Sequence, residues 1–217
     1  MQAGIVLFPA IAGVNDYIRL RARQLGEAGF AVEVVDYYDG SAPPDLSSPG
    51  KIQAAVAALS DPDVLATAHA ACERLRTRAD VNGPRTGTLG FCIGGTYAML
   101  AGSSFDGVDA VANYYGTIRY EHRTQSKPVS PLDSIAALQA PMIAHYGTAD
   151  RFVPASDLQT LEEALQTAGK PYELFRYGGA PHAFDEDFRP AYRPVAAREA
   201  WQRTLTFLDW YLRRNSK

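Results

Sequence analysis

The hydrophobic positions of this chain fall into short, nearly continuous runs that alternate with stretches of helical spacing. The runs predict strands at 4–8, 30–35, 86–91, 108–114, 141–146 and 172–176. Several runs are apolar at almost every position, which is typical of central parallel strands covered on both faces.

Apolar residues three or four positions apart predict five helices between and after these strands. Their apolar faces consist of Ile18, Ala22 and Leu25; Ile52, Val56 and Leu59; Leu65, Ala68, Cys72 and Leu75; Leu158, Leu161, Leu165 and Ala168; and Ala197, Trp201, Leu205, Leu208 and Leu212. Gly29 and Gly169 are placed to end the first and fourth helices, and Ser60-Asp61-Pro62 separates the second from the third. Strands alternating with helices predict an α/β fold with a doubly wound, mostly parallel sheet flanked by helices.

Residues 116–140 follow neither pattern, since they are charged and interrupted by Pro128 and Pro131. A surface connection is the first interpretation, and a partial lid or an oligomer contact is the alternative. Without an internal repeat or linker, the pattern predicts a single domain over residues 1–217.

Composition and net charge argue against several classes of protein. The chain has 217 residues, a net charge of −3 and two cysteines. This acidic balance argues against a nucleic-acid partner, and no apolar run reaches the length of a membrane span. The apolar N-terminal run lacks a basic leader and predicts a first strand rather than a signal peptide. Two cysteines do not form a disulfide framework, which favours a cytoplasmic location with free thiols.

One of these cysteines, Cys92, lies in a glycine frame, Gly90-Phe91-Cys92-Ile93-Gly94, between a predicted strand and a predicted helix. Gly-x-Cys-x-Gly at such a junction has the form of a nucleophile elbow. The turn is strained, so small neighbours two residues away on either side avoid clashes. The helix N-terminus favours a thiolate and supplies N–H groups for an oxyanion. A buried, inert cysteine would not need the frame.

Two further residues follow predicted strands. Asp150 lies in "GTADRFVP" after the fifth strand, and His182 lies in "GGAPHAF" after the sixth. Ligands bind beyond the carboxyl ends of strands in open α/β sheets, and the order nucleophile, acid, histidine is that of α/β-hydrolases. Taken singly, Asp150 could be a helix N-cap and His182 a turn residue, but their coincidence with Cys92 favours a shared site.

The other candidate ligands suggest structural roles. Cys72 shares the apolar face of its helix and is expected in the core, and His69 lies one turn before it. His145, inside a strand, is expected to be packed and hydrogen-bonded, and His122 to be solvated. Two potential ligands do not make a metal site, so neither a metal nor another cofactor is expected.

Together these motifs resemble the dienelactone hydrolase family of minimal α/β-hydrolases that use cysteine. The resemblance runs from "AGVNDYIRLRARQLGEAGFAVEVVDYYDG" (12–40) through "GFCIGG" (90–95), "NYYG" (113–116) and "GTADRFVPAS" (147–156) to "PHAF" (181–184). It implies that Cys92 is the nucleophile, His182 the base and acid, and Asp150 the carboxylate that orients the imidazole. It also implies an oxyanion hole made by the backbone N–H groups of Ile93 and Ile11.

Two positions depart from the family pattern. Many members carry a glutamate just before the oxyanion residue, where this chain has Ala10, so His182 would have to activate Cys92 directly. Members that act on carboxylated dienelactones tend to place an arginine shortly after the histidine, where this chain has Asp185, Glu186 and Asp187. If these acids faced the pocket, they would repel an anionic substrate by about a kcal/mol or more each. Compensating charges could come from Arg119, Arg123 and Arg151.

The resulting hypothesis is a hydrolase of lactones or activated carboxylic esters that works through a thioester intermediate. The expected partner is a small-molecule ester or lactone, and the expected assembly is a monomer or homodimer. Candidate pocket residues near the strand ends are Ala10, Tyr37, Tyr115, Phe152 and Phe184. Two alternatives remain: a thioesterase or acyltransferase on the same site, and a non-hydrolytic redox-sensing or binding pseudoenzyme, which the absence of the glutamate would favour.

Overall fold

The structure, a computed structural model, describes residues 2–78 and 85–214. Its six strands are β1 (Gly4–Phe8), β2 (Ala31–Val34), β3 (Thr86–Phe91), β4 (Ala110–Tyr114), β5 (Met142–Gly147) and β6 (Tyr172–Tyr177). Its helices are α1 (Asp16–Glu27), α2 (Pro49–Ala58), α3 (Asp61–Thr77), α4 (Ile93–Ser104), α5 (Pro131–Ser134), α6 (Ala155–Ala168) and α7 (Pro194–Asp209). The predicted alternation of strands and helices is confirmed.

The strands form one sheet in the order β2-β1-β3-β4-β5-β6, and every pairing among the described strands is parallel. All residues of β1, β3, β4 and β5 are buried, so helices or loops cover both faces of the sheet centre. Because the strands are parallel, the loops that follow them meet at one edge of the sheet. The sequence motifs therefore converge there.

Side-chain caps and a glycine set several helix ends. The Asn15 side chain accepts a hydrogen bond from the N–H of Ile18 at 3.0 Å and begins α1, and Ser60 caps α3 in the same way. Gly169 ends α6 with φ 66°, which glycine adopts without strain. The predicted stop at Gly169 is thus confirmed.

The predicted apolar face of α2 is confirmed except at its first residue. Val56 and Leu59 are partly buried and pack against the core, and Ala55, on the same side of the helix, is its buried residue. Ile52, by contrast, is exposed. The helical spacing therefore located both α2 and its packed face, and it was wrong only about the burial of Ile52.

The segment 116–140 is more than a surface connection. It contains the short helix α5 and buries Ile118, Ile135 and Leu138. Lys127 of this segment donates a hydrogen bond to Asp61 at the start of α3 at 2.5 Å. The segment is therefore anchored to the body of the fold by apolar packing and a buried ion pair.

Candidate active site

Cys92 forms the turn between β3 and α4 in a backbone conformation that side chains rarely adopt, with φ 57° and ψ −124°. Such a conformation costs about 1–3 kcal/mol and persists only where its surroundings hold it. The Cys92 N–H donates to the carbonyl of Tyr114 on the neighbouring strand at 3.0 Å. The turn places Cys92, a partly exposed residue, at the N-terminus of α4.

The glycine frame is a steric requirement of this turn. A Cβ atom at Gly90 would lie 1.9 Å from the carbonyl oxygen of Gly94. A Cβ at Gly94 would lie 2.3 Å from the carbonyl oxygen of Phe8, and one at Gly95 would lie 2.3 Å from the Asn113 side chain. A side chain at Gly94 would push the elbow away from the end of β1, and one at Gly95 would push it away from β4.

Asp150 and His182 meet at the same edge of the sheet. The Nδ1–H of His182 donates to Oδ2 of Asp150 at 2.8 Å. The other carboxylate oxygen, Oδ1, accepts the backbone N–H of Phe152 at 2.8 Å. The Asp150 side chain is fully buried, and 18% of the His182 side chain is exposed. This arrangement fixes the orientation of the imidazole and leaves its Nε2 edge free of Asp150.

The imidazole also interacts with the Cys92 sulfur. Burial by itself lowers the pKa of His182, because it penalises the charged ring. The negative charge of an ionised Cys92, with hydrogen bonds to Asp150 and Cys92, outweighs burial and raises the pKa to about 10. A negatively charged sulfur at Cys92 therefore favours the imidazolium form of His182.

The two backbone amides expected to bind an oxyanion belong to the first turn of α4 and to the turn that follows β1. Ile93 is the first residue of α4, so its N–H has no partner within the helix. Ile11 lies in the turn after β1, which is closed by a hydrogen bond from the Gly13 N–H to the Ala10 carbonyl at 2.9 Å. The Tyr38 hydroxyl fixes the turn by donating to the Ile11 carbonyl at 2.7 Å.

The residues expected to line a pocket differ in exposure. Tyr37 is partly exposed, donates to the Pro9 carbonyl at 2.9 Å and has its pKa raised by burial and then by the charge of Cys92. Phe152 is 67% exposed and packs edge-on against the His182 ring, with 4.9 Å between centroids. Tyr115 and Phe184 are fully buried, as is most of Ala10. Tyr37 and Phe152 are thus the two aromatic candidates that offer surface to a ligand.

The three acids after His182 do not line the pocket together, contrary to the concern raised by the sequence. Asp185 is fully buried, where it accepts hydrogen bonds from the hydroxyls of Tyr17 and Tyr115 and pairs with Arg21 at 3.3 Å. Glu186 is also buried and pairs with Arg189, whereas Asp187 is exposed. The chain turns inward after His182, so two of the three charges are satisfied inside the protein.

The three arginines proposed to compensate these acids have other surroundings. Arg119 pairs with Asp157 at 3.7 Å, Arg123 pairs with Asp133, and Arg151 is exposed. Since Arg21 and Arg189 already pair with the two buried acids, the local charge argument against an anionic substrate is reduced to Asp187.

The remaining cysteine and histidines take the structural places expected of them. Cys72 is buried, and burial raises the pKa of its thiol to about 12. His145 is fully buried and hydrogen-bonded to Tyr177 and Thr204, and His122 is exposed. His69 is exposed and packs against the Phe105 ring at 4.8 Å.

Within residues 2–78 and 85–214, no cluster of three or more histidine, cysteine or acidic side chains is arranged to hold a metal ion. No helix in these same ranges is both long enough and apolar enough to cross a bilayer.

Sequence comparison finds a matching family model and several similar proteins. The family model described as "Dienelactone hydrolase family" matches residues 1–212. A Bradyrhizobium protein named "Probable 2-oxo-3-(5-oxofuran-2-ylidene)propanoate lactonase" is 44% identical over 96% of this chain and 84% of its own length. An Escherichia coli K12 protein named "Putative carboxymethylenebutenolidase" is 30% identical over 95% of this chain and 76% of its own.

Structural comparison agrees. The crystal structure of a "Putative Dienelactone Hydrolase" from Klebsiella pneumoniae superposes with a TM-score of 0.89 at 26% identity. The match covers 97% of this chain and 88% of the other.

Proposed function

The chain belongs to the dienelactone hydrolase family, and on this premise we propose that it hydrolyses enol lactones or activated carboxylic esters with Cys92 as the nucleophile. The observation that carries the proposal is the pairing of His182 with both the elbow cysteine and the buried Asp150 carboxylate. A nucleophile, a base in contact with it and a third group that orients the base form the arrangement needed for covalent acyl transfer.

In the first half-reaction, the Cys92 thiolate attacks the acyl carbon and forms a C–S bond. The carbonyl oxygen becomes an oxyanion, which the N–H groups of Ile93 and Ile11 stabilise. The intermediate collapses by breaking the acyl C–O bond, and the leaving oxygen takes the proton of the His182 imidazolium. The product is a thioester on Cys92 with a neutral imidazole beside it.

The second half-reaction depends on a change in His182 that acylation itself causes. The charge of the sulfur is the largest influence that raises the pKa of His182, and a thioester sulfur carries no such charge. Burial, which lowers the pKa, then has greater weight, so the imidazole can act as a base. It removes a proton from water as hydroxide attacks the thioester, and cleavage of the C–S bond releases the acid and restores the thiolate–imidazolium pair.

The chemistry of the thiolate restricts the substrate. A thiolate is a better leaving group than an alkoxide, so an intermediate with an ordinary alcohol tends to collapse back to the ester. Enolates and other weakly basic oxygens leave more easily, which favours enol lactones and activated esters. The Bradyrhizobium relative is named for a lactone of this kind.

The test compares wild type with Cys92→Ala on p-nitrophenyl acetate and on an enol lactone. We expect C92A to lower kcat/KM by roughly 10³-fold or more, because the covalent route is lost. Intact-protein mass spectrometry of wild type should show an acyl adduct that is absent from C92A. Cys72→Ala is the matched control, and it should retain turnover because its thiol is buried away from the site.

Three other outcomes are informative. Full activity in C92A would contradict the proposal. An adduct without turnover would favour transfer to an acceptor other than water. Reversible oxidation of Cys92 without any adduct or turnover would favour a redox role.

A further inference from the structure

We infer that Tyr115, held by the buried carboxylate of Asp185, is a positioning residue for the His182 imidazole. The inference rests on the proposed role of His182 and adds to it a part of the molecule outside the nucleophile, histidine and acid. Its starting point is a buried cluster that the proposed chemistry does not use: Tyr17, Arg21, Tyr115 and Asp185.

Asp185 is the centre of this cluster. Its side chain has no exposed surface, and its two oxygens accept hydrogen bonds from two tyrosine hydroxyls and one guanidinium. Tyr17 and Arg21 belong to α1, which follows the turn carrying Ile11, whereas Tyr115 follows β4. One carboxylate three residues beyond His182 therefore joins three segments that surround the site.

The backbone of Tyr115 is fixed in an unusual conformation. Its φ is 42°, a value that non-glycine residues rarely adopt. The Tyr115 N–H donates to the His145 carbonyl at 2.8 Å, and the next residue is held at both its N–H and its carbonyl. The Gly116 N–H donates to Asn113 Oδ1 at 2.9 Å, and the Gly116 carbonyl accepts from the Tyr146 hydroxyl at 3.0 Å.

These restraints direct the Tyr115 ring against the imidazole. The two rings meet edge to face, with 4.8 Å between their centroids and 61° between their planes. Phe152 contacts the imidazole as well, but it is largely exposed, whereas Tyr115 is fully buried. The hydrogen bond to Asp150 fixes only one atom of the imidazole, so the plane of the ring depends on what it packs against.

A residue in a strained conformation that is held this firmly indicates a functional demand on its position. Without the Asp185 hydrogen bond, the Tyr115 ring can move away from its packed position. The imidazole can then turn about its bond to Asp150 and lose its alignment with Cys92. Small misplacements of reacting groups lower turnover substantially without weakening the binding of substrate.

Two conservative variants separate positioning from general stability. Tyr115→Phe and Tyr17→Phe each remove one hydroxyl that donates to the same carboxylate, but only Tyr115 contacts the His182 ring. We expect Y115F to lower kcat by roughly 10- to 100-fold with KM within about twofold of wild type. We expect Y17F to keep kcat within about threefold. Because the Tyr17 hydroxyl also accepts a hydrogen bond from Arg21 at 3.0 Å, Y17F should lose at least as much thermal stability as Y115F.

A second readout needs no substrate. The rate of Cys92 alkylation by iodoacetamide, followed against pH, reports the thiolate and hence its pairing with His182. The ionisable groups around the imidazole are Cys92, Asp150, Tyr115 and Glu186, the last already paired with Arg189. We expect Y115F to be alkylated roughly 10-fold more slowly than wild type at neutral pH, and Y17F to be alkylated at the wild-type rate.

Equal loss of kcat in Y115F and Y17F, a Y115F defect that falls on KM, or no defect in Y115F would overturn the inference. If Y115F does not fold, the double variant Arg21→Met with Asp185→Asn removes the buried ion pair and should give the same selective loss of kcat. If wild type hydrolyses neither test ester, the proposed substrate class fails. The alkylation profiles still decide the role of Tyr115 in that case.

Discussion

At the scale of single residues, the charge state of His182 is set by its neighbours more than by its exposure. Burial lowers its pKa, and the Cys92 charge and the bond to Asp150 raise it to about 10. In the proposed mechanism, the His182 imidazolium stabilises the charged sulfur of Cys92 directly, so the mechanism does not require a glutamate at position 10.

The charge of Cys92 should have a measurable effect on the pKa of His182. Replacing Cys92 by alanine removes the anion that most strongly favours the imidazolium, so the pKa of His182 should fall by at least about one unit. Proton NMR of the imidazole Cε1–H in wild type and C92A would measure the shift. Cys72→Ala is the control and should leave it unchanged. An unaltered titration in C92A would mean that the sulfur and the ring do not interact.

At the scale of secondary-structure elements, the strand–turn–helix unit from β3 to α4 packs closely against the end of β1 and the loop after it. Gly94 makes that contact possible, since its Cα faces the carbonyl oxygens of Phe8 and Pro9. We predict that Gly94→Ala lowers the free energy of unfolding by about 3 kcal/mol or more, because the new methyl group must displace backbone. Turnover should fall with it, as the elbow moves relative to Ile11.

Urea unfolding of G94A beside Gly26→Ala would measure this effect. Gly26 lies in α1, and a Cβ there would meet no atom within 4 Å. G26A should therefore be neutral or stabilise the protein by about 0.5–1 kcal/mol through helix propensity. Equal stabilities of the two variants would show that the close approach at Gly94 has no energetic consequence.

The elements that the sequence predicts best are the strands whose residues are all buried. β1 and β3 have the bounds expected from their apolar runs, and β4 and β5 differ by one or two residues, because strands buried on both faces are apolar throughout. The elbow was also predictable, since its backbone geometry demands glycine at fixed positions. The sequence left open where the acids after His182 point, and the structure turns Asp185 and Glu186 inward. The direction of a loop side chain does not depend on a local period in the sequence.

The cluster around Asp185 illustrates why contacts within the candidate site were missed although Tyr115 and Asp185 were both singled out. Tyr17, Tyr115 and Asp185 are far apart in the chain, and no spacing in the sequence links them. A charged residue in a loop suggests an exposed position unless its partners are known, and the partners here come from a helix and a strand end. Only the three-dimensional arrangement identifies this carboxylate as buried and shared.

At the scale of the whole molecule, a second buried histidine joins the sheet to the last helix. His145 of β5 is hydrogen-bonded at 2.9 Å both to the Tyr177 hydroxyl of β6 and to the Thr204 hydroxyl of α7. Its ring stacks on Phe175, with 5.6 Å between centroids. Burial, with a smaller contribution from nearby Arg203, lowers the pKa of His145 to about 3.

This lowered pKa makes the stability of the fold sensitive to acid. Between pH 6.5 and pH 3, the unfolded chain binds a proton at His145 that the folded chain excludes, so stability decreases as the pH falls through this window. The His145 contribution is complete above pH 6.5, and about 2 kcal/mol of it should be lost between pH 7.5 and pH 5. His145→Gln removes the titrating group while retaining hydrogen-bonding capacity, so its stability should depend less steeply on pH, although it starts lower.

Urea unfolding of wild type and H145Q at pH 7.5 and pH 5 measures the difference between the two slopes, in which the contributions of other carboxyl groups cancel. His122→Gln provides the matched control, because this histidine is exposed and its replacement should leave the slope at the wild-type value. A wild-type slope in H145Q would mean that His145 accepts a proton in the folded state. The contacts with Tyr177 and Thr204 would then have to accommodate the imidazolium, and the acid sensitivity of the fold would have to come from its buried carboxyl groups.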